Sequence, residues 1–213
     1  AIANGDLHPA LWSNGRIVDM GTLGGANGLA TNANGAGQVS VVAETVQTDP
    51  QGEDFCGFGA HRICLGAVWR DGKLTALPTL GGRNAIAFGM NERGAIAGVA
   101  EKSTSDASCP APQVLGFAPV IWQADGRIEA LRLPAGDSVG FAIGINDKGE
   151  AAGATGDCET TVVSAMGLNF GAHAMLWQNG VPTYLGTQGV AGMAVALNNR
   201  SEVVGGSVLA DHA

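Results

Sequence analysis

Charged residues are scarce in this chain: only 14% of its 213 residues are Asp, Glu, Lys or Arg, and 19 are acidic against 11 basic. A net charge of −8 without a basic cluster argues against a nucleic-acid partner, because phosphate backbones are held by Lys and Arg. Long apolar runs are missing too. None approaches the ~20 residues of a membrane helix, so no transmembrane segment is expected. Helical periodicity is absent throughout. There is one tyrosine, and no H-E-x-x-H, P-loop or dinucleotide fingerprint. Hydrophobic residues, at 46%, are sufficient for a core, and 34 glycines, without a strict period of three, exclude collagen.

Glycine recurs with a pattern. The four tryptophans, Trp12, Trp69, Trp122 and Trp177, lie 57, 53 and 55 residues apart, each ending a short apolar run (HPALW, LGAVW, APVIW, HAMLW). Each is followed by Asn-Gly or Asp-Gly, at residues 14, 71, 125 and 179, and then by a second apolar segment. These dipeptides favour positive φ at both central residues of a tight type I′ hairpin. The second half of each unit repeats as well: GLATNAN, AIAFGMN, GFAIGIN and GMAVALN end in Asn34, Asn91, Asn146 and Asn198. Three residues on stands Gly37, Gly94, Gly149 or, exceptionally, Ser201, which suits a longer hairpin with a left-handed residue.

The chain is therefore all-β, built of tandem four-stranded antiparallel units of about 53–57 residues. In the second unit the strands are expected near 66–70, 73–77, 85–90 and 95–100. A β-propeller with four blades in this chain is the leading architecture, and an open β-solenoid the alternative. The chain reads as one repeat domain over 1–213, with repeats near 8–64, 65–116, 117–171 and 172–213. Residues 1–7 resemble the closing strand of a further repeat, and Asp211-His212-Ala213 resembles the start of another. Either the array is part of a longer one or four blades close a ring. A start at alanine without a leader pattern reads as a processed or trimmed chain.

His173-Ala174-Met175-Leu176-Trp177, Asp19-Met20-Gly21-Thr22-Leu23-Gly24-Gly25, Ile145-Asn146-Asp147-Lys148-Gly149 and Val203-Val204-Gly205 together resemble the bacterial extracellular HAF-repeat family. The resemblance covers all four units, with departures such as Leu65 for the first histidine and Ser201 for a turn glycine. It implies an exported protein with a propeller-like repeat domain and supplies no catalytic residue.

Four cysteines complete the inventory. Cys56 and Cys64, eight apart in one loop insertion, read as a local disulfide, and zinc on Cys56, His61 and Cys64 is the rival. Cys109 and Cys158 each follow a closing strand and could bridge neighbouring units, although four cysteines allow three pairings. Disulfides imply an oxidising compartment, extracellular or periplasmic. Gly136-Asp137-Ser138-Val139-Gly140 matches the nucleophile-elbow pattern, but it occupies the slot of a connecting loop in the other units. His8, His173 and His212 share one repeat position and read as strand-start residues.

No catalytic residue is assigned, and the strands place apolar or small residues where a carboxylate pair would sit. The leading function is an exported non-catalytic binding or structural module for a protein or extracellular polymer, with homo- or hetero-assembly as a variant. A propeller-type hydrolase or lyase acting on extracellular glycans is the alternative. Variable loops on a rigid scaffold carry binding, which points to segments 48–65, 102–116 and 155–171. Their binding candidates are Asp54, Phe55, Phe58, His61 and Phe170, and an exposed aromatic or apolar patch there would mark a partner interface. No cofactor is required; Asp49, Glu53 and Asp54 are weak calcium candidates.

Overall fold

The computed structural model describes residues 5–167 and 169–209. The expected strand start at Asp211-His212-Ala213 lies outside the described residues, as do residues 1–4 of the closing strand expected over 1–7. All sixteen elements among the described residues are strands. A short hairpin, β1 (Ala10–Ser13) and β2 (Arg16–Asp19), comes first. Three four-stranded antiparallel sheets follow. The first holds β3 (Gly24–Ala33), β4 (Val39–Thr48), β5 (Arg62–Arg70) and β6 (Lys73–Ala76). The second holds β7 (Gly81–Met90), β8 (Ile96–Ser105), β9 (Leu115–Trp122) and β10 (Ile128–Ala130). The third holds β11 (Val139–Ile145), β12 (Ala151–Gly156), β13 (His173–Gln178) and β14 (Val181–Tyr184), and a last hairpin pairs β15 (Ala191–Leu197) with β16 (Val203–Val208).

The sheet is thus not the sequence repeat. Each sheet joins the closing hairpin of one repeat to the opening hairpin of the next, through β4–β5, β8–β9 and β12–β13. Four-stranded sheets were legible, but their stagger by half a unit was not. Successive sheets stack face to face, and tryptophan fills the interface. Trp122 packs with Leu77 of the preceding sheet, Trp177 with Leu131, and Trp69 with Met20.

The turn chemistry follows the dipeptides with one departure. Asn14, Asp71 and Asn179 have φ of 51°, 50° and 52°, and the glycine after each is also positive. In the third repeat only Gly126 is left-handed, and the turn between β9 and β10 is longer. The inner hairpins show a second regularity. Their register slips between Ala30 and Asn32, Ala87 and Met90, Ala142 and Gly144, and Ala194 and Ala196. A bulge recurring at one place re-aims the extra residue. Thr31, Phe88, Ile143 and Val195, one from each inner strand, together line a single cavity of about 390 Å³.

The asparagine ending each of the first three inner strands does two jobs. Its Oδ1 accepts two backbone N–H groups of its own turn, as Asn91 does from Arg93 (3.1 Å) and Ala95 (2.9 Å). Its Nδ2 reaches the next repeat: Asn34 donates to the Asn91 carbonyl (3.3 Å), Asn91 to that of Asn146 (2.9 Å), and Asn146 to that of Asn198 (2.9 Å). This ladder is a recurring polar feature that ties successive repeats together.

Glycines in the second strands of the last two full sheets, Gly98 in β8 and Gly153 in β12, are a packing requirement. At Gly98 in β8 a Cβ would collide with the Ile86 carbonyl and the Trp122 ring. Gly98→Ala is expected to destabilise by about 1–3 kcal/mol through overpacking, read as a lower urea midpoint with unchanged slope.

Candidate functional site

The longest connections leave the same end of each sheet: residues 49–61 between β4 and β5, 106–114 between β8 and β9, and 157–172 between β12 and β13. Each begins with an aspartate whose side chain closes a turn. Asp49 Oδ1 accepts the N–H groups of Gln51 (2.8 Å) and Glu53 (3.3 Å), Asp106 Oδ1 the N–H (2.9 Å) and hydroxyl (2.7 Å) of Ser108, and Asp157 Oδ1 the N–H (2.8 Å) and hydroxyl (2.6 Å) of Thr160. The sequence repeats here a local device that needs no neighbour.

The three loops are fastened to one another. Glu53 of the first accepts the N–H groups of Val114 and Leu115 in the second, both at 2.7 Å. Ala165 N and Ser164 Oγ of the third donate to the Cys56 carbonyl of the first (3.2 and 3.3 Å). Cys158 N donates to Ser108 Oγ (3.0 Å), and the Cys109–Cys158 disulfide joins second to third. The first loop closes on itself through Cys56–Cys64, although Cys64 lies inside β5 rather than in a loop. Both pairings fit an oxidising, non-cytoplasmic compartment. Beneath them Phe55 meets Phe117 edge-on at 5.6 Å, within a core that continues into Val42, Ile86, Val99 and Phe141 of the sheets.

Between the loops lies a cavity of about 200 Å³, walled by Phe55, Phe117, Pro110, Pro112 and Val162, with the carboxylates of Asp54 and Glu159 in its lining. Of the expected binding residues it brings together Asp54 and Phe55. Phe55 is a correction, since it is only 4% exposed and serves as core. Asp54 accepts the Gly59 N–H (2.9 Å). Phe58 is half-buried against the same core, and His61, exposed at φ 50°, holds the Gly52 carbonyl through Nδ1 (2.7 Å). Phe170 is half-buried and pairs with Val162 through two backbone bonds of 2.9 and 3.1 Å. No exposed aromatic patch forms from this set, because loop aromatics are spent on anchoring loops to the sheets.

Asp49, Glu53 and Asp54 do not point at one another. Asp49 Oδ2 accepts from Asn84 Nδ2 (2.9 Å), and the other two carboxylates engage the N–H groups already named. Among the described residues no group of three or more His, Cys, Asp or Glu side chains is arranged to hold a metal ion.

One pair escaped the sequence reading. Glu101 in β8 and Glu53 are both fully buried, and Gln113 Nε2 donates to each, at 3.0 and 3.2 Å. Glu101 Oε2 also accepts the N–H groups of Arg83 and Asn84 and the Asn84 side chain. Burial pushes the Glu101 carboxyl up to about 7; the Gln113 hydrogen bond opposes this, and the adjacent Glu53 adds to it. Only Glu101 of this pair stands on a strand; Glu53 comes from the loop between β4 and β5. A signal existed: Gly-Gly-x-Asn followed by Val-Ala-Glu occurs in both the first and second repeats, where Glu44 likewise takes the Asn27 N–H and side chain at 3.0 and 2.9 Å.

The nucleophile-elbow match lies in the connection entering β11, and no helix follows it. Asp137 there accepts from Thr155 Oγ1 (2.5 Å) and pairs with His173 Nδ1 (2.9 Å), binding β11's entry to β12 and β13. His8 makes the analogous strand-start contact with Asp19 (2.9 Å).

The Cys109→Ser/Cys158→Ser variant is expected to lose about 2–4 kcal/mol, the entropic effect of freeing a 49-residue closure. Thermal unfolding with and without reductant checks this. No helix among the described residues is long and apolar enough to cross a membrane. No family model, curated protein or solved structure matches the chain.

Proposed function

We propose that the chain is an exported, non-catalytic binding or structural module, extracellular or periplasmic, whose inter-repeat loops engage a protein or polymer partner within a larger assembly. One observation carries this reading: three variable loops from three sheets converge on a single surface held by a disulfide, Glu53 and a shared aromatic core. Pre-ordering of that kind lowers the entropy lost on binding. The sequence resemblance to bacterial extracellular HAF repeats and the two cysteine pairs support export.

The sheets are best read as propeller blades. In support, Thr31, Phe88, Ile143 and Val195 of successive inner strands line one cavity, as they would around a common axis. The glycan-hydrolase reading draws no comparable support, since Glu53 and Glu101 are buried and held by protein donors rather than open to a substrate.

A panel of bacterial surface glycans and peptides, probed with the parent chain and with Asp54→Ala/Glu159→Ala, tests the reading. The expected result is a ligand whose affinity falls about tenfold or more in the variant. Ligands bound equally by both forms, or a glycan cleaved during the assay, would overturn it.

A further inference from the structure

The acidic excess of the chain is concentrated at one end of the sheets. The loops 49–61, 106–114 and 157–172 carry Asp49, Glu53, Asp54, Asp106, Asp157 and Glu159 and no lysine or arginine. With these six set aside, 13 acidic residues stand against 11 basic ones, so the loops account for most of the net charge of −8. The turns at the opposite end mix the signs, with Arg70, Arg93 and Lys148 among Asp71, Asp125 and Asp147.

Among the described residues no cation pairs with the six. The ion pairs are His8–Asp19, Arg127–Asp125, His173–Asp137 and Arg200–Glu202. Two cations close to the loops in sequence are directed at main-chain carbonyls instead: Arg62 donates to that of Val46 (2.8 Å) and Lys102 to that of Ser138 (2.9 Å). The carboxylates themselves differ in what they face. Asp49 and Glu53 are buried, and Asp106 and Asp157 close their own turns. Asp54 and the exposed Glu159 remain at the cavity between the loops.

That cavity, of about 200 Å³, has the make-up of a socket for one side chain. Its walls are largely apolar, and Asp54 and Glu159 are the charged residues of its lining. Thr161 in the same wall is only 5% exposed, and its hydroxyl has no hydrogen-bond partner. Buried polar groups are ordinarily paired, and a threonine hydroxyl can accept from an ammonium or a guanidinium. A lysine or arginine meets these demands together: its methylene stem lies along apolar walls while its charged head reaches the carboxylates.

We infer that the cavity between the three loops receives a lysine or arginine side chain from a basic segment of a partner protein, with Asp54 and Glu159 holding the charge. Asp54 belongs to the first loop and Glu159 to the third. The bond from Ser164 to the Cys56 carbonyl and the Cys109–Cys158 disulfide therefore set the spacing of the two charges before the partner arrives. The same acidic field steers a basic segment inward and repels nucleic acids and anionic lipid surfaces.

This names the partner class of the loop site and rests on the binding function proposed for it. The test selects a displayed library of random peptides on the whole, oxidised parent chain. Synthetic copies of the enriched peptides are then measured against Asp54→Asn/Glu159→Gln, which keeps side-chain size and removes both charges. The expected result is enrichment of peptides bearing Lys or Arg, with affinity about tenfold or more lower in the variant. Acetylating that Lys, or replacing that Arg by citrulline, lowers affinity for the parent to the same extent, and rising salt weakens binding. The control variant Asp71→Asn/Asp125→Asn, at the turn-bearing end, binds as the parent does. Enriched peptides without a cation, equal losses in both variants, no enrichment, or retention of an amino-sugar polymer in place of peptides would overturn the inference. An uncharged ligand that binds the parent and fails on Asp54→Ala/Glu159→Ala would overturn it while sustaining the binding function.

Discussion

Trp122→Ala is expected to remove about 3–5 kcal/mol of stability, a large part of the 5–15 kcal/mol available to an ordinary domain. The indole is fully buried between two sheets, packs with Leu77 and donates to the Pro78 carbonyl at 2.9 Å. Truncation leaves a cavity and removes the donor to that carbonyl. Trp12 holds the same repeat position but is 71% exposed, so Trp12→Ala in dilute, unassembled protein is expected to change stability by less than about 0.5 kcal/mol. Urea unfolding of the two variants side by side checks the contrast. Equal losses would mean that the tryptophans do not act as inter-sheet fillers.

The second large effect is a stability that falls as pH rises from about 4.5 to 7. Glu101 has its folded carboxyl raised from 4.5 to about 7 by burial and by Glu53, so the folded state binds a proton that the unfolded chain has released. Its stabilising contribution is complete below the unfolded value and is lost as pH climbs through the folded one. The loss across that window is about 3 kcal/mol. Asp19, Asp125, Asp147, Glu150 and Glu202 are shifted the opposite way by hydrogen bonds, and their contribution disappears only as pH falls below the ordinary carboxylate range. The two windows do not overlap. Glu101→Gln is expected to flatten the profile between pH 4.5 and 7 while leaving the acid limb intact. Denaturant midpoints measured across pH on parent and variant read this directly.

These expectations rest on features that differ in how openly the sequence carried them. Tryptophan spacing, the Asn-Gly turns and the alternating short apolar runs report local geometry, so strands such as β6, expected at 73–77 and found at Lys73–Ala76, were legible. The spacing of Cys56 and Cys64 gave their pairing for the same reason. The half-unit stagger was hidden, because a repeat in sequence has no fixed origin: β4 pairs with β5 across a 13-residue loop as readily as with β3 across a turn. Asn91 was legible as a turn residue through its Oδ1, yet the donation from Nδ2 to Asn146 exists only once two repeats are stacked. Loop aromatics misled for a related reason. Phe55 sits among glycines and carboxylates, which reads as exposed, but it is drawn under the loop by Phe117 from the next sheet. Glu53 and Glu101 are 48 positions apart, and only the fold places them on one amide.

The central claim is that the three long loops form one rigid unit on the sheet scaffold. Hydrogen–deuterium exchange of the parent chain tests it most directly, following the N–H groups of Glu53, Gly57, Val114, Leu115, Cys158 and Ala165 before and after reduction. Protection comparable to that of β8 and β12, lost together in all three loops when Cys109–Cys158 is reduced, is the predicted result. Rapid exchange in the oxidised protein, or loops that open one at a time, would contradict it.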